Sequence, residues 1–144
     1  SASGVALKWF ANYLTDRRQQ VTVASATSRA LDCTCGVPQG SVLGPVLFNV
    51  YTRDVKSVSS PIPSVQFADD IALYDSKASA GEVSKSVSSA VTDLAIWLKS
   101  RGLILNASKS QVMTISPQHA GPEVSIVCCD TSLPIVKSAR YLGV

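Results

Sequence analysis

The sequence has little charge, few aromatics and almost no histidine, and each shortage excludes something. Charged residues make up 16% of its 144 positions, below the roughly 25% of ordinary soluble domains. Thirteen Lys and Arg against ten Asp and Glu leave a net charge of +3, far from the dense basic stripe of a domain that grips nucleic acid by charge alone. The single histidine, His119, sits in a Ser-Pro-Gln-His-Ala-Gly loop. The cysteines form a C-x-C (Cys33, Cys35) and a vicinal pair (Cys128, Cys129), without the C-x2-C spacing of zinc ribbons. With no secretory signal at the first residues, the thiols are expected to be small apolar residues kept reduced inside a cell. No apolar run reaches membrane-spanning length. Disorder is excluded in turn, because 46% of the residues are hydrophobic. A chain of this size buries roughly two thirds of the surface that it exposes when unfolded, so a core needs neither disulfide nor metal. One domain over residues 1–144 is expected, with no internal repeat and no linker.

What is present reads as an alternation of helices and short strands. Ala6, Trp9, Phe10, Tyr13 and Leu14 recur at helical spacing, which predicts an amphipathic helix over 3–14, stopped near Thr15-Asp16-Arg17-Arg18. A helix at the very start suggests that the chain begins inside a fold. Gln19 to Ala24 and Ala30 to Cys35 read as two extended runs that pair across the polar connection Ser25 to Arg29. Gly36-Val37-Pro38-Gln39-Gly40-Ser41 reads as a rigid loop, and Val42, Leu43, Val46, Leu47, Val50 and Tyr51 then share one face of a helix over 41–55. Pro45 belongs in its first turn. Ser57 to Ser64, with Pro61 and Pro63, is expected to be a surface connection. It leads into a hairpin, Val65 to Tyr74, with Asp69 and Asp70 at its tip. Val83, Val87, Ala90, Val91, Leu94 and Leu98 predict a helix over 80–101 with a solvated serine face, ended by Gly102. Short apolar runs follow at Leu103–Leu105, Val112–Ile115, Val124–Cys128 and Arg140–Val144, broken by Pro117, Gly121, Pro122 and Pro134. This order predicts an α+β fold: a small antiparallel sheet with helices packed on one face.

Two stretches carry candidate chemistry. Adjacent carboxylates flanked by Phe67, Ala68, Ile71 and Ala72 repel each other and find little solvation from their neighbours, so a cation is expected to offset them. Mg2+ is commonly held through one or two carboxylates plus substrate phosphates. The same pair also suits an ordinary solvated turn. In the loop, Gly36 and Gly40 permit close backbone approach, while Gln39 and Ser41 bring hydrogen-bonding side chains to a helix start, a place suited to phosphate or base contacts. Taken singly, it reads first as a plain strand-to-helix turn.

Taken in order, these elements resemble a reverse transcriptase of the non-LTR (LINE-like) retrotransposon type over nearly the whole chain. Trp9, Tyr13, Leu14, Arg17, Gln19 and Val21 are similar to the family's W-x-x-x-Y-L-x-x-R-x-Q-x-V segment. Gly36-Val37-Pro38-Gln39-Gly40-Ser41-Val42-Leu43-Gly44-Pro45-Val46-Leu47-Phe48 resembles its G-V-P-Q-G-S-V-L-G-P-x-L-F block. Phe67-Ala68-Asp69-Asp70 resembles the Y/F-A-D-D polymerase box, and Trp97-Leu98, Gly102-Leu103, Leu105-Asn106 and Lys109-Ser110 resemble the W-L...G-L-x-L-N-x-x-K-T stretch, with Ser110 keeping the hydroxyl where Thr is commoner. Tyr141-Leu142-Gly143 looks like the segment called the primer grip.

The resemblance implies a partial polymerase palm and two-metal nucleotidyl transfer with Mg2+, extending a DNA primer on an RNA template from deoxynucleoside triphosphates. It implies Asp69 as the principal metal ligand and Asp70 as an auxiliary one. Phe67 and Ala68 would lie under the primer end, and Pro38, Gln39, Gly40 and Ser41 near the incoming nucleotide. Lys109 would act at the triphosphate or pyrophosphate, and Tyr141, Leu142 and Gly143 at the primer. Lys8, Arg17 and Arg18 are candidate phosphate contacts. The resemblance begins after the block with the family's first catalytic aspartate, and Asp16, Asp32 and Asp54 stand in the wrong contexts to replace it. The chain is therefore expected to need upstream and thumb segments as partners and to be inactive alone. Loss of a metal ligand removes several kcal/mol of transition-state stabilisation. A non-catalytic nucleic-acid-binding fragment or an inert relic is the alternative. The family's way of working implies a nuclear location.

Overall fold

A computed structural model of the chain describes residues 3–59, 62–115 and 124–143. It divides into two compact units, Ser1–Val50 and Tyr51–Val144, each with its own organisation. Expectations that fall on Pro61, Pro117, His119, Gly121, Pro122 and Val144 lie outside the described residues.

In the first unit, helix α1 (Val5–Leu14) forms where the helical spacing predicts it, yet it buries none of its residues. Its aromatics pack on one another instead. Trp9 stacks on Tyr13 with ring centroids 5.3 Å apart and meets Phe10 edge-on at 5.2 Å. Strands β1 (Arg17–Gln19) and β4 (Leu31–Cys33) pair antiparallel, Arg17 opposite Cys33. The polar connection between them has structure of its own. It is a second hairpin, β2 (Thr22–Val23) with β3 (Ala26–Thr27), turning at Ala24 and Ser25 with Ala24 at φ +52°. The Ser28 hydroxyl accepts from Val21 N–H, and Ser28 N–H donates to the Val21 carbonyl, which closes the stem.

Helix α2 runs from Gly44 to Thr52, with Pro45 in its first turn as predicted, where a missing N–H costs nothing. It is shorter than the expected 41–55. Residues 41–43 are taken up by the preceding loop, and the chain turns at Arg53 and Asp54 into a four-residue helix, α3 (Val55–Val58). The expected apolar face also splits, with Leu43 and Leu47 half-buried but Val42, Val46 and Val50 exposed.

The second unit is organised on helix α4 (Ala80–Ser100). Ser79 accepts from Glu82 N–H and donates to the Glu82 carboxylate, a reciprocal cap that starts the helix. At the other end Gly102, at φ +68°, lets its own N–H and that of Leu103 reach the Lys99 and Leu98 carbonyls. The apolar stripe of α4 holds two clusters. Leu94 and Leu98 pack with Val55, flanked by Ile71 and Leu73, while Val91 packs with Ile126, Cys128 and Leu133. The serine face is not simply solvated: Ser84 and Ser88 accept from the N–H groups of Ser125 and Val127, and Ser86 donates to Asp75. Arg101, just past α4, lies over the rings of Trp97 and Tyr51 at 5.0 and 5.7 Å, and its carbonyl accepts from the Tyr51 hydroxyl. The end of α2 is thereby tied to the end of α4.

The α+β class is as expected. The described strands form five two-stranded ladders rather than one continuous sheet. In the second unit these are β5 (Ser64–Phe67) with β6 (Asp70–Leu73), β8 (Val127–Cys128) with β9 (Thr131–Ser132), and a parallel pair, β7 (Val112–Met113) with β10 (Ile135–Val136). Leu103–Leu105 forms no ladder; Leu103 and Leu105 pack against the Leu94 cluster while Ile104 is exposed. The Ser57–Ser64 stretch is not a plain surface connection either, because Ser59 and Ile62 are buried.

Candidate active site

The hairpin β5–β6 has Ser64 opposite Leu73, Val65 opposite Ala72, Gln66 opposite Ile71 and Phe67 opposite Asp70. Alternation puts Ser64, Gln66, Ile71 and Leu73 on one face, and Ile71 and Leu73 pack on the Leu94 cluster. The other face carries Val65, Phe67 and Asp70, all exposed. The two acids therefore do not share the tip equally. Asp69 is a turn residue, whereas Asp70 is the first residue of β6 and pairs with Phe67.

The turn itself is Ala68-Asp69, with positive φ (+52°) at Ala68 and not at Asp69, the φ pattern of a type II′ hairpin turn. Glycine suits that position, and alanine there costs on the order of 1 kcal/mol. Something must hold it, and the hairpin's own Gln66 does. Its Nε2 donates to the Ala68 carbonyl at 2.9 Å and to the hydroxyl of Thr52, the last residue of α2, at 2.8 Å. Reading the sequence for charge alone misses Gln66. The signal that finds it is a polar residue at an inward register position between Val65 and Phe67.

Among the described residues neither the Asp69 nor the Asp70 carboxylate makes a hydrogen bond or ion pair, and both residues are exposed. Their oxygens are available to a hard divalent cation, which takes one or two carboxylates and completes its shell with water and substrate phosphate. Among the described residues no group of three His, Cys, Asp or Glu converges. The pair fits part of a Mg2+ site, with the remaining oxygens to come from elsewhere.

The glycine–proline block lies in the first unit. Ser41 O–H donates to the Pro38 carbonyl at 2.7 Å and its oxygen accepts from Gly44 N–H at 3.0 Å, so the hydroxyl is spent on shaping the loop. Gly44 is buried, and a Cβ there would stand 2.9 Å from the Ser41 oxygen and 3.2 Å from the Pro38 carbonyl. Gln39 and Gly40 remain exposed, with Gly40 at φ +78°. Two of the candidate phosphate contacts have structural employment. Arg17 donates to the carbonyls of Leu14, Cys35 and Gly36, and Arg18 pairs with Asp32 at 2.9 Å. Lys8 lies exposed on α1.

Lys109 ends a short 3-10 turn, Ala107–Lys109, that Asn106 caps by accepting from Lys109 N–H; its ammonium side is exposed. The Ser110 hydroxyl donates back to the Asn106 carbonyl. Tyr141, Leu142 and Gly143 form a turn rather than the expected extended run, with Leu142 at φ +52° and Gly143 at φ +90°. The Tyr141 hydroxyl is buried without a hydrogen-bond partner among the described residues. Within the second unit the hairpin thus brings Phe67, Ala68, Asp69 and Asp70 together, while Lys109 and Tyr141–Gly143 stand on separate turns.

Two titratable groups away from the hairpin are displaced. The Ser86 hydroxyl, with help from Lys77 at 3.3 Å and Ser76 N–H, holds Asp75 below the usual carboxylate range. Burial pushes the Cys128 thiol up to about 11, reinforced by Cys129, whose sulfur lies 3.8 Å away. Cys128 is thereby an inert core residue.

A family model described as reverse transcriptase (RNA-dependent DNA polymerase) matches residues 2–144. Among curated relatives, a protein of Drosophila melanogaster named probable RNA-directed DNA polymerase from transposon BS is 34% identical over 92% of this chain and 16% of its own length. Another from the same fly, the probable RNA-directed DNA polymerase from transposon X-element, is 28% identical over 92% of the chain and 15% of its length. The RNA-directed DNA polymerase from mobile element jockey is 30% identical over 80% of the chain and 13% of its length. The chain thus spans about a sixth of the first of these relatives. No solved structure matches it.

Proposed function

The chain belongs to the reverse transcriptase (RNA-dependent DNA polymerase) family, with non-LTR retrotransposon polymerases among its relatives, and on that premise we propose that it is part of the palm of an enzyme that extends a DNA primer on an RNA template. The observation that carries this reading is the Asp69–Asp70 hairpin: two exposed carboxylates, unpaired among the described residues, on a braced turn, inside a chain matched almost from end to end.

The chemistry follows from what each residue can do. Asp69 at the turn and Asp70 on the outer face would hold Mg2+, which when bound stabilises the attacking and leaving oxygens of in-line phosphoryl transfer. Phe67, on the same face as Asp70, offers an apolar surface for a primer terminus. Gln39 and Gly40 present an exposed side chain and open backbone to a nucleotide, with Ser41 holding the loop. Lys109 supplies an exposed ammonium for a triphosphate, and the Tyr141–Gly143 turn a contact for the primer. The partners are RNA template, DNA primer, deoxynucleoside triphosphates and the polymerase segments that complete the metal site. Work on chromosomal DNA would place the protein in the nucleus; no helix among the described residues is long and apolar enough to cross a membrane.

Primer extension on an RNA template with Mg2+ tests the proposal, using the chain alone, the chain mixed with an upstream segment that carries the family's first aspartate, and Asp69→Ala in both. Synthesis in the mixture that Asp69→Ala abolishes is expected. Absence of synthesis in every mixture favours the alternative, an inert or merely nucleic-acid-binding fragment, and binding that weakens steeply with salt separates those two.

A further inference from the structure

We infer that Gln66, anchored on Thr52, is a positioning residue that sets the aim of the Asp69–Asp70 carboxylates; as a statement about a metal site, it rests on the function proposed above. Gln66 carries two N–H donors on one nitrogen, and each has an acceptor: the Thr52 hydroxyl at 2.8 Å and the Ala68 carbonyl at 2.9 Å. Thr52 is 2% exposed, so the anchor is held in packed surroundings. The accepting carbonyl belongs to the peptide between Ala68 and Asp69, the central peptide of the turn. Turn types that share the same corner residues differ by a flip of that peptide. A flip of that peptide turns ψ at Ala68 and φ at Asp69 and leaves Ala68 at its positive φ of +52°, so the strained corner residue is compatible with either orientation of the peptide. A flip would also swing Asp69, which follows that peptide directly. The Gln66 amide opposes it by fixing the carbonyl to the end of α2, an element outside the hairpin.

This role differs from general support of the fold. Ile71 and Leu73 already seat the hairpin on the core. Gln66 adds no apolar burial to that seat; it determines which way one peptide points.

The test uses the 144-residue chain and two readings of it. Amide hydrogen exchange of the metal-free chain reports the turn, and Mn2+ binding followed by electron paramagnetic resonance reports the carboxylates. Gln66→Met keeps the length and removes both donors. Loss of one such hydrogen bond corresponds to a change of about five-fold, in exchange at the Asp69 and Asp70 amides and in Mn2+ affinity alike. Amides in α4 keep their wild-type rates. Thr52→Val gives a smaller change in the same direction, and Thr52→Ser, which keeps the hydroxyl, behaves as wild type. Wild-type exchange at the turn in Gln66→Met overturns the inference. So does wild-type Mn2+ affinity in Gln66→Met when Asp69→Ala has lost binding. If Asp69→Ala leaves Mn2+ binding unchanged, it is the metal reading that fails, and the turn amides alone then decide whether Gln66 braces the peptide. If exchange in Gln66→Met rises along α4 as well, the variant has lost its fold and Thr52→Val is read in its place.

Discussion

Among the described residues the first unit buries Gly44 alone, whereas the second encloses Val55, Ala90, Val91, Leu94, Leu98, Ile126, Cys128 and Leu133 around one helix. The family-like segments are nevertheless spread over both, the glycine–proline block in one and the Asp-Asp hairpin in the other. The difference shows two ways of holding a functional segment in shape. In the first unit the work is done by local polar contacts, such as Arg17 on three carbonyls and Ser41 on Pro38 and Gly44. In the second it is done by apolar burial against α4, with polar groups added where direction matters.

Core substitutions put that contrast to its hardest test. Leu94→Ala removes a side chain that is 3% exposed and should lower stability by about 2–5 kcal/mol, the range for leucine truncation in a packed core. Trp9→Ala, in a helix with nothing buried, should cost no more than about 1.5 kcal/mol, the scale of its ring contacts. Chemical denaturation of the two variants decides: equal losses would mean that the first unit has a core after all.

A smaller effect is expected from Ser41→Ala, which deletes both hydrogen bonds of the loop hydroxyl. A loss of about 1 kcal/mol, read as faster exchange at the Gly44 amide with α4 unaffected, would sharpen the picture of a locally held block. Spread of the change into the second unit would break it.

The smallest effect concerns Asp75 and is confined to acid. Its folded pKa lies below the unfolded value because Ser86 and Lys77 favour the carboxylate, so its contribution is present above about pH 3.9, the unfolded value, and is lost as pH falls through the lower folded pKa. Asp75→Asn should therefore lower stability at neutral pH and flatten the acid limb below about pH 4. Parallel pH profiles for wild type and variant would show that the Asp75–Ser86 contact carries no stability.

The sequence was legible wherever one residue acts through its own backbone or through a repeating face. Pro45 marked the start of α2 and Gly102 the end of α4, because ring closure and freedom at positive φ are properties of a single residue. The stripe Val87, Ala90, Val91, Leu94 and Leu98 marked the inner face of α4. The adjacent acids were visible for the same reason, as they are neighbours in the chain. Less legible was anything that needed a distant partner. The serines of α4 read as solvated until Asp75, Ser125 and Val127 are seen to meet them. The residues from Val42 to Tyr51 read as one apolar helix face, yet Val42, Val46, Val50 and Tyr51 are exposed.

The sequence by itself thus determined the α+β class, the family, helices α1 and α4, the start of α2 near Pro45 and the hairpin that carries Asp69 and Asp70, because local geometry and motif order are written in consecutive residues. The tertiary structure alone decided that the strands separate into paired ladders and that Asp69 and Asp70 take different positions on their turn. It also decided that Gln66 reaches from a hairpin to Thr52, fourteen residues back in the chain. These depend on which donors and acceptors are brought within about 3 Å of each other, a matter of packing between segments that no single stretch of sequence contains.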